Sequence, residues 1–100
     1  MKAPAGCESN YYKYVALLDP GIERRALKAA LRERFGVALS GEVYDTPCHR
    51  QPYFGDRFPA GSYPVAEYLA ARHVCLPVYS GMRAADVALG VRALRACLPS

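Results

Sequence analysis

One hundred residues make room for one domain and leave none for a second. Thirteen Lys and Arg against nine Asp and Glu give a net charge of +4 and a pI near 9.0, which raises nucleic acid as a partner. The cations are dispersed, though, and no RNA-recognition strand signature accompanies them, so that reading ranks last. No stretch nears membrane-span length, and the first ten residues lack the apolar run of a secretory leader. Cys7, Cys48, Cys75 and Cys97 form no CxxC pair, which argues against a zinc site or a disulfide framework and for a reduced, cytoplasmic chain.

Residues 1–10 mix small and polar residues without periodicity and are expected to form a loose lead-in. From Tyr11 to Leu18 the sequence turns aromatic and β-branched, the pattern of a half-buried strand. Asp19-Pro20-Gly21 ends it. Ile22, Ala26, Leu27, Ala30, Leu31 and Phe35 then recur at helical spacing, with Arg32 and Arg34 in the last turn and Gly36 placed to terminate. The basic run Arg24, Arg25, Lys28, Arg32 and Arg34, interleaved with Glu23 and Glu33, is expected to form a solvated helix face.

Val37 to Tyr44 is a shorter expected strand, broken at Ser40-Gly41. The irregular stretch 45–61 holds three prolines and two glycines, a length that in a small domain points to function. Ser62 is positioned to cap a helix from Tyr63 to about His73, with Pro64 in its first turn. Val74 to Tyr79 is a further strand. The last helix spans about Arg83 to Leu98, with Val87, Val91, Leu94 and Leu98 as its apolar stripe. This order implies an α+β, two-layer unit: a small mixed or antiparallel sheet with helices on one face. The other face is then open for docking.

The loop 44–52 concentrates the chemistry. Tyr44, Asp45, His49, Arg50 and Gln51 between Pro47 and Pro52 suit a polar ligand, and His49 serves equally well as a ligand contact or as a pin that holds the loop. Cys48 beside His49 suggests a thiol nucleophile, but neighbours on an extended segment point to opposite sides and no oxyanion site accompanies them. His73, at a helix end, suits a cation facing the C-terminal dipole. Tyr44, Tyr53 and Tyr63 could stack on a ligand or pack the loop. Lys2, Lys13 and Lys28 all lack the desolvated setting that activates a Schiff-base amine.

Three runs carry a resemblance. Gly41–Pro52 resembles the G-x-x-Y-x-x-P-x-H-x-Q-P segment of the DegT/DnrJ/EryC1/StrS aminotransferases. Pro64–Arg72 is similar to that family's P-V-A-E-x-L-A-x-R helix, and Leu76–Met82 to its L-P-L-Y-P-G-L turn. The likeness extends from about Tyr11 to Leu98. It implies the small C-terminal domain of the aspartate-aminotransferase fold type I. The complete enzymes are pyridoxal-phosphate-dependent homodimers that transfer an amino group, usually from glutamate, to a nucleotide-linked keto-sugar. Their Schiff-base lysine and phosphate contacts belong to a large domain that this chain would need as a partner, as a separate domain or a second aminotransferase subunit. The resemblance assigns no catalytic, cofactor or metal residue here. It places Tyr44, His49, Arg50 and Gln51 on the sugar-nucleotide side of the cleft. A non-catalytic binding module that keeps the fold is the alternative. Two positions depart from the family: Val43 stands where histidine is common, and Arg83 where a capping threonine is common, a change worth about 1 kcal/mol to the helix.

Overall fold

The computed structural model describes residues 2–99. Strand β1 (Tyr14–Leu17) is followed by helix α1 (Arg24–Phe35), two short 3-10 turns (Cys48–Arg50 and Pro52–Phe54), helix α2 (Pro64–Arg72), strand β2 (His73–Leu76) and helix α3 (Ala84–Cys97). The chain is thus a small α+β unit with a two-stranded antiparallel sheet and three α-helices.

β1 and β2 pair with Tyr14 opposite Leu76, Val15 opposite Cys75, Ala16 opposite Val74 and Leu17 opposite His73. Alternation puts Ala16 and Val74 on one face, where they join Leu18, Leu27, Leu31, Val37 and Ala93 in the core. α1 supplies Leu27 and Leu31, the latter fully buried, as its spacing predicts. α3 packs beside α1 through part of the expected stripe, Leu94 and Leu98, together with Ala93, which lies outside it. Val87 and Val91 are exposed, while Ala93 is fully buried and Leu94, Cys97 and Leu98 pack against the core. A small residue at the contact lets two helix backbones approach closely, so α3 turns its alanine rather than its valines inward.

The helix ends show what the apolar pattern omits. Glu23 caps α1, its carboxylate accepting from the backbone N–H of Arg25 (3.0 Å) and Ala26 (2.6 Å). Those bonds, with the charges of Arg25 and Arg24, hold its carboxyl below the usual range against a small desolvation effect. Gly36 adopts the left-handed φ of 64° and ends the helix, its N–H reaching Arg32 O at 3.0 Å. Ser62 does not cap α2. Its hydroxyl donates back to Pro59 O (2.6 Å), and Tyr63 takes the cap position without a side-chain bond. Arg83 has no acceptor to offer α3, yet Asp86 accepts from the Arg83 N–H (3.0 Å) and pairs with its guanidinium (3.1 Å). The capping loss expected from Arg83 is therefore offset from the third helical position.

All three expected strands come out shorter, for identifiable reasons. β2 ends at Leu76, ahead of Pro77, which has no N–H for a ladder. Tyr11 has φ 53°, and the N–H groups of Tyr11 and Tyr12 bond Ser9 Oγ and Asn10 Oδ1 (both 3.1 Å), so ladder pairing begins only at Tyr14. The stretch 37–44 keeps a single bridge, Ser40 to Cys75. Around it, side chains replace the ladder: Ser40 Oγ donates to Cys75 O (3.2 Å), Lys13 Nζ to Gly41 O (3.0 Å), and the Val43 N–H to His73 Nε2 (3.0 Å).

The unit is more open than its size requires. It exposes 7619 Å², where a compact monomer of this mass exposes about 5,600 Å². Its radius of gyration is 15.6 Å, against about 13 Å for a typical 100-residue domain. Folding buries about half of the unfolded chain's surface rather than the usual two-thirds, so each core residue matters. Leu31→Ala should destabilise the fold by about 2–5 kcal/mol, read as a fall in the urea midpoint at unchanged slope. A loss well under 1 kcal/mol would show that Leu31 does not anchor the core.

Candidate functional site

The loop from Asp45 to Tyr63 is built around His49. Its side chain is buried, and its Nε2 lies 2.8 Å from Glu67 Oε1 on α2. The Glu67 carboxylate also accepts the Gly61 N–H with both oxygens, at 3.1 Å each. One carboxylate thus ties the start of the loop to its end. Tyr63 lies 4.9 Å from the His49 ring and Phe58 6.4 Å, and Phe54 packs edge-on against Phe58 at 5.5 Å. These rings form a small apolar cluster of the loop's own. The His49 hydrogen bond, then the Gly61 N–H, hold the Glu67 carboxyl below the usual range, with the charges of His49 and Arg50 acting in the same sense and desolvation slightly opposing.

A second polar junction fixes the loop's base. Arg24 is not on a solvated face: only 16% of its side chain is exposed. It donates to Ala70 O (2.7 Å) and His73 O (3.1 Å), capping the end of α2, and pairs with Asp45 at 2.6 Å and, more loosely, with Glu42 at 3.8 Å. Lys28 completes the group at 2.8 Å from Glu42. Burial pushes the Glu42 carboxyl upward, but the Lys28 hydrogen bond, its own backbone N–H and the two cations outweigh that and leave it below the usual range. Arg25, Arg32 and Arg34 are exposed, as expected of the rest of that basic run.

His73 is not the dipole-facing cation that its position suggested. Nε2 accepts from the Val43 N–H, so Nδ1 carries the proton and donates to Leu69 O at 2.7 Å. Both ring nitrogens are used and the ring is neutral in this arrangement. Val43 contributes here through its backbone N–H.

Between α2, β1 and the segment 43–48 lies an apolar groove of about 460 Å³, lined by Val15, Val43, Tyr44, Pro47, Cys48, Ala66, Leu69, Ala70 and His73. The four residues expected to meet a ligand are not brought into one pocket. Tyr44 is exposed on the groove, and Arg50 and Gln51 are exposed beyond it, Gln51 Nε2 donating to Thr46 O (3.1 Å). His49 lies behind them, among the rings. Tyr53 is exposed, and Tyr63, half exposed, sets its ring at a tilt of 55° against His49.

A family model, that of the DegT/DnrJ/EryC1/StrS aminotransferases, matches residues 1–95. The chain belongs to this family. Within this DegT-family chain, the two acidic residues that organise the loop, Glu67 and Glu42, both fall inside the motifs that carry the resemblance. Their spacing to His49 and Arg24 gave no sign of contact, because 18 residues separate Glu67 from His49 and the loop closes that distance only in three dimensions. All four cysteines are free thiols, and among the described residues no helix is long and apolar enough to cross a membrane.

Because the folded-state value of Glu67 lies below its ordinary 4.5, the clasp's stabilisation is complete above that pH. It is lost as pH falls through the lowered folded value. Amide-exchange protection of residues 49–62, corrected for intrinsic rate, should therefore drop steeply below pH 4.5, and Glu67→Gln should lower it already at neutral pH and flatten that drop. Equal protection in the two proteins across the range would show that the carboxylate does not hold the loop.

Proposed function

We propose that this chain is the small C-terminal domain of a pyridoxal-phosphate-dependent aminotransferase acting on nucleotide-linked keto-sugars, with residues 11–100 as the domain and 1–10 as its lead-in. It works in the cytoplasm with a lysine-bearing large domain or second subunit, in a homodimeric complete enzyme. The observation that carries this reading is the family match over nearly the whole chain combined with the placement of the lysines.

Bound to a complete enzyme, pyridoxal phosphate supplies an electron sink for amino-group transfer. It needs an amine in a water-excluded cleft and donors around its phosphate. The residues here do not fit it. Lys2 and Lys13 border an open hollow of about 740 Å³ between the lead-in and β1, and Lys13 Nζ is bonded to Gly41 O. Lys28 is committed to Glu42. No step of the chemistry is therefore assigned to this chain. Its part is to wall the substrate side of the pocket. Tyr44, Arg50 and Gln51 are exposed and can hydrogen-bond a sugar or its diphosphate, Arg50 adding a positive charge. His49 acts through the loop as a positioning residue, since its Nε2 is taken by Glu67.

After dialysis against pyridoxal phosphate, the isolated chain should retain no pyridoxal chromophore. Joined to a lysine-bearing domain it should support transamination, with Arg50→Ala raising KM for the sugar nucleotide by about tenfold at little change in kcat. A chromophore fixed on Lys13 or Lys28 of the isolated chain, or an unchanged KM, would count against the proposal.

A further inference from the structure

Both histidines of the chain are buried, and both hold the segment that runs from Val43 to His49. Their partners are opposite in kind. His49 Nε2 meets a carboxylate, Glu67 Oε1, at 2.8 Å, an arrangement that a protonated imidazole keeps. His73 Nε2 instead accepts the Val43 N–H at 3.0 Å, while its Nδ1–H donates to Leu69 O at 2.7 Å. A backbone N–H can only donate, and unlike a hydroxyl it cannot rotate to offer an acceptor. A second proton on the His73 ring sets N–H against N–H. With Nδ1 already committed to the end of α2, the Val43 bond is the one that breaks.

The surroundings of the ring do not compensate for that loss. From α1, Arg24 brings a positive charge, its guanidinium 3.1 Å from the His73 carbonyl oxygen. Glu42 and Asp45 lie on the neighbouring segment, but they pair with Lys28 and Arg24. On α2, Glu67 is turned to His49 and Arg72 to Leu18 O. β1 sets Leu17 opposite His73, and Lys13 just ahead of that strand donates to Gly41 O. β2 adds the Cys75 thiol, and the groove adds Cys48 and Tyr44. Among the described residues no carboxylate bonds the His73 ring.

We propose that His73 is a proton-operated latch on the segment 43–48. Neutral, it ties Val43 to the start of β2 and holds Tyr44 at the rim of the apolar groove. Protonated, it lets go of Val43, while His49 and Glu67 keep the far end of the segment in place. The segment's other ties permit such a release. Beyond the Ser40–Cys75 bridge its backbone is bonded to β2 through the Val43 N–H, and Asp45 reaches Arg24 through a side chain that is 75% exposed. Val43, Tyr44, Pro47 and Cys48 all line the groove, so movement of this segment opens one of its walls. The two histidines therefore answer acid in opposite ways, one end of the segment loosening while the other holds. Histidine is the side chain that ordinarily changes charge between about pH 5 and 8, so the latch works without extreme conditions. This inference concerns the fold by itself and does not rest on the aminotransferase reading.

Nitrogen-15 NMR of the two imidazole rings, read together with amide exchange corrected for intrinsic rate, tests it on the purified chain from about pH 8 to about pH 5. At the alkaline end His73 should be the Nδ1–H tautomer. As that ring takes up a proton, protection of the Val43 amide should fall by at least about tenfold, since one linked proton changes an opening equilibrium by up to about tenfold per pH unit. The Leu31 amide of α1 and the amides of residues 49–62 should keep their protection over the same range. His73→Gln keeps a carbonyl oxygen for Val43 and an N–H for Leu69 but does not titrate, so protection of Val43 in that variant should not vary with pH. Circular dichroism checks that it folds, and if it does not, the wild-type ring titration decides the matter by itself. Overturning results are the Nε2–H tautomer at pH 8, a His73 ring still neutral at pH 5, or Val43 protection that is constant while the ring protonates. A loss that follows His49, that occurs together with Leu31 as the whole chain unfolds, or that persists in His73→Gln would overturn it equally.

Discussion

Ala16 and Val74 lie side by side on the single face of the β1–β2 pair that Leu27, Leu31 and Ala93 cover. Everything else in the structure is arranged around that one-sided burial. Two strands do not hold together in water unaided, so the pair depends on the helices above it. The helices in turn each have one apolar stripe, and α1 and α3 spend theirs on this face. The opposite side of the sheet is left with Val15, Cys75, Leu17 and His73, bordered by α2 and the segment 43–48 but not closed.

On that second side, polar contacts substitute for the missing apolar core. Arg24 reaches across from α1 to the end of α2 and to Asp45. His73 bridges Leu69 and Val43, and Glu67 closes the long loop onto its own helix. Each of these groups is partly or largely buried and each has its partners. Among the described residues no buried side-chain nitrogen or oxygen is left without one. Charged and polar groups thus shape a wall, and the wall frames an apolar recess. The unit is thus satisfied in its buried side-chain hydrogen bonds among the described residues, yet has more surface than a compact monomer of its mass.

The loop's side chains divide into an inward and an exposed set. His49 and Glu67 are directed inward, to each other and to a ring of aromatics, and they give the loop one shape. Tyr44, Arg50 and Gln51 are carried on that shape with their side chains exposed.

Much was legible in the residues alone. The α+β class followed from alternating strand and helix patterns, the course of α1 from the period of Leu27 and Leu31, its end from Gly36, and the family from three motifs in register. What the sequence could not specify were contacts between residues far apart in the chain. Val87 and Val91 look like the inner stripe of α3, but Ala93 is the residue that fits between two close helix backbones. The segment after α1 looks like a strand broken only at Ser40-Gly41, but Ser40, Lys13 and His73 take up hydrogen-bonding groups that a ladder would have used. Arg24 looks like one more surface cation until the end of α2 comes to rest beside it. Periodicity records which side of an element is apolar. Which neighbour arrives, and how closely, is set by packing and by the need to pair every buried polar group.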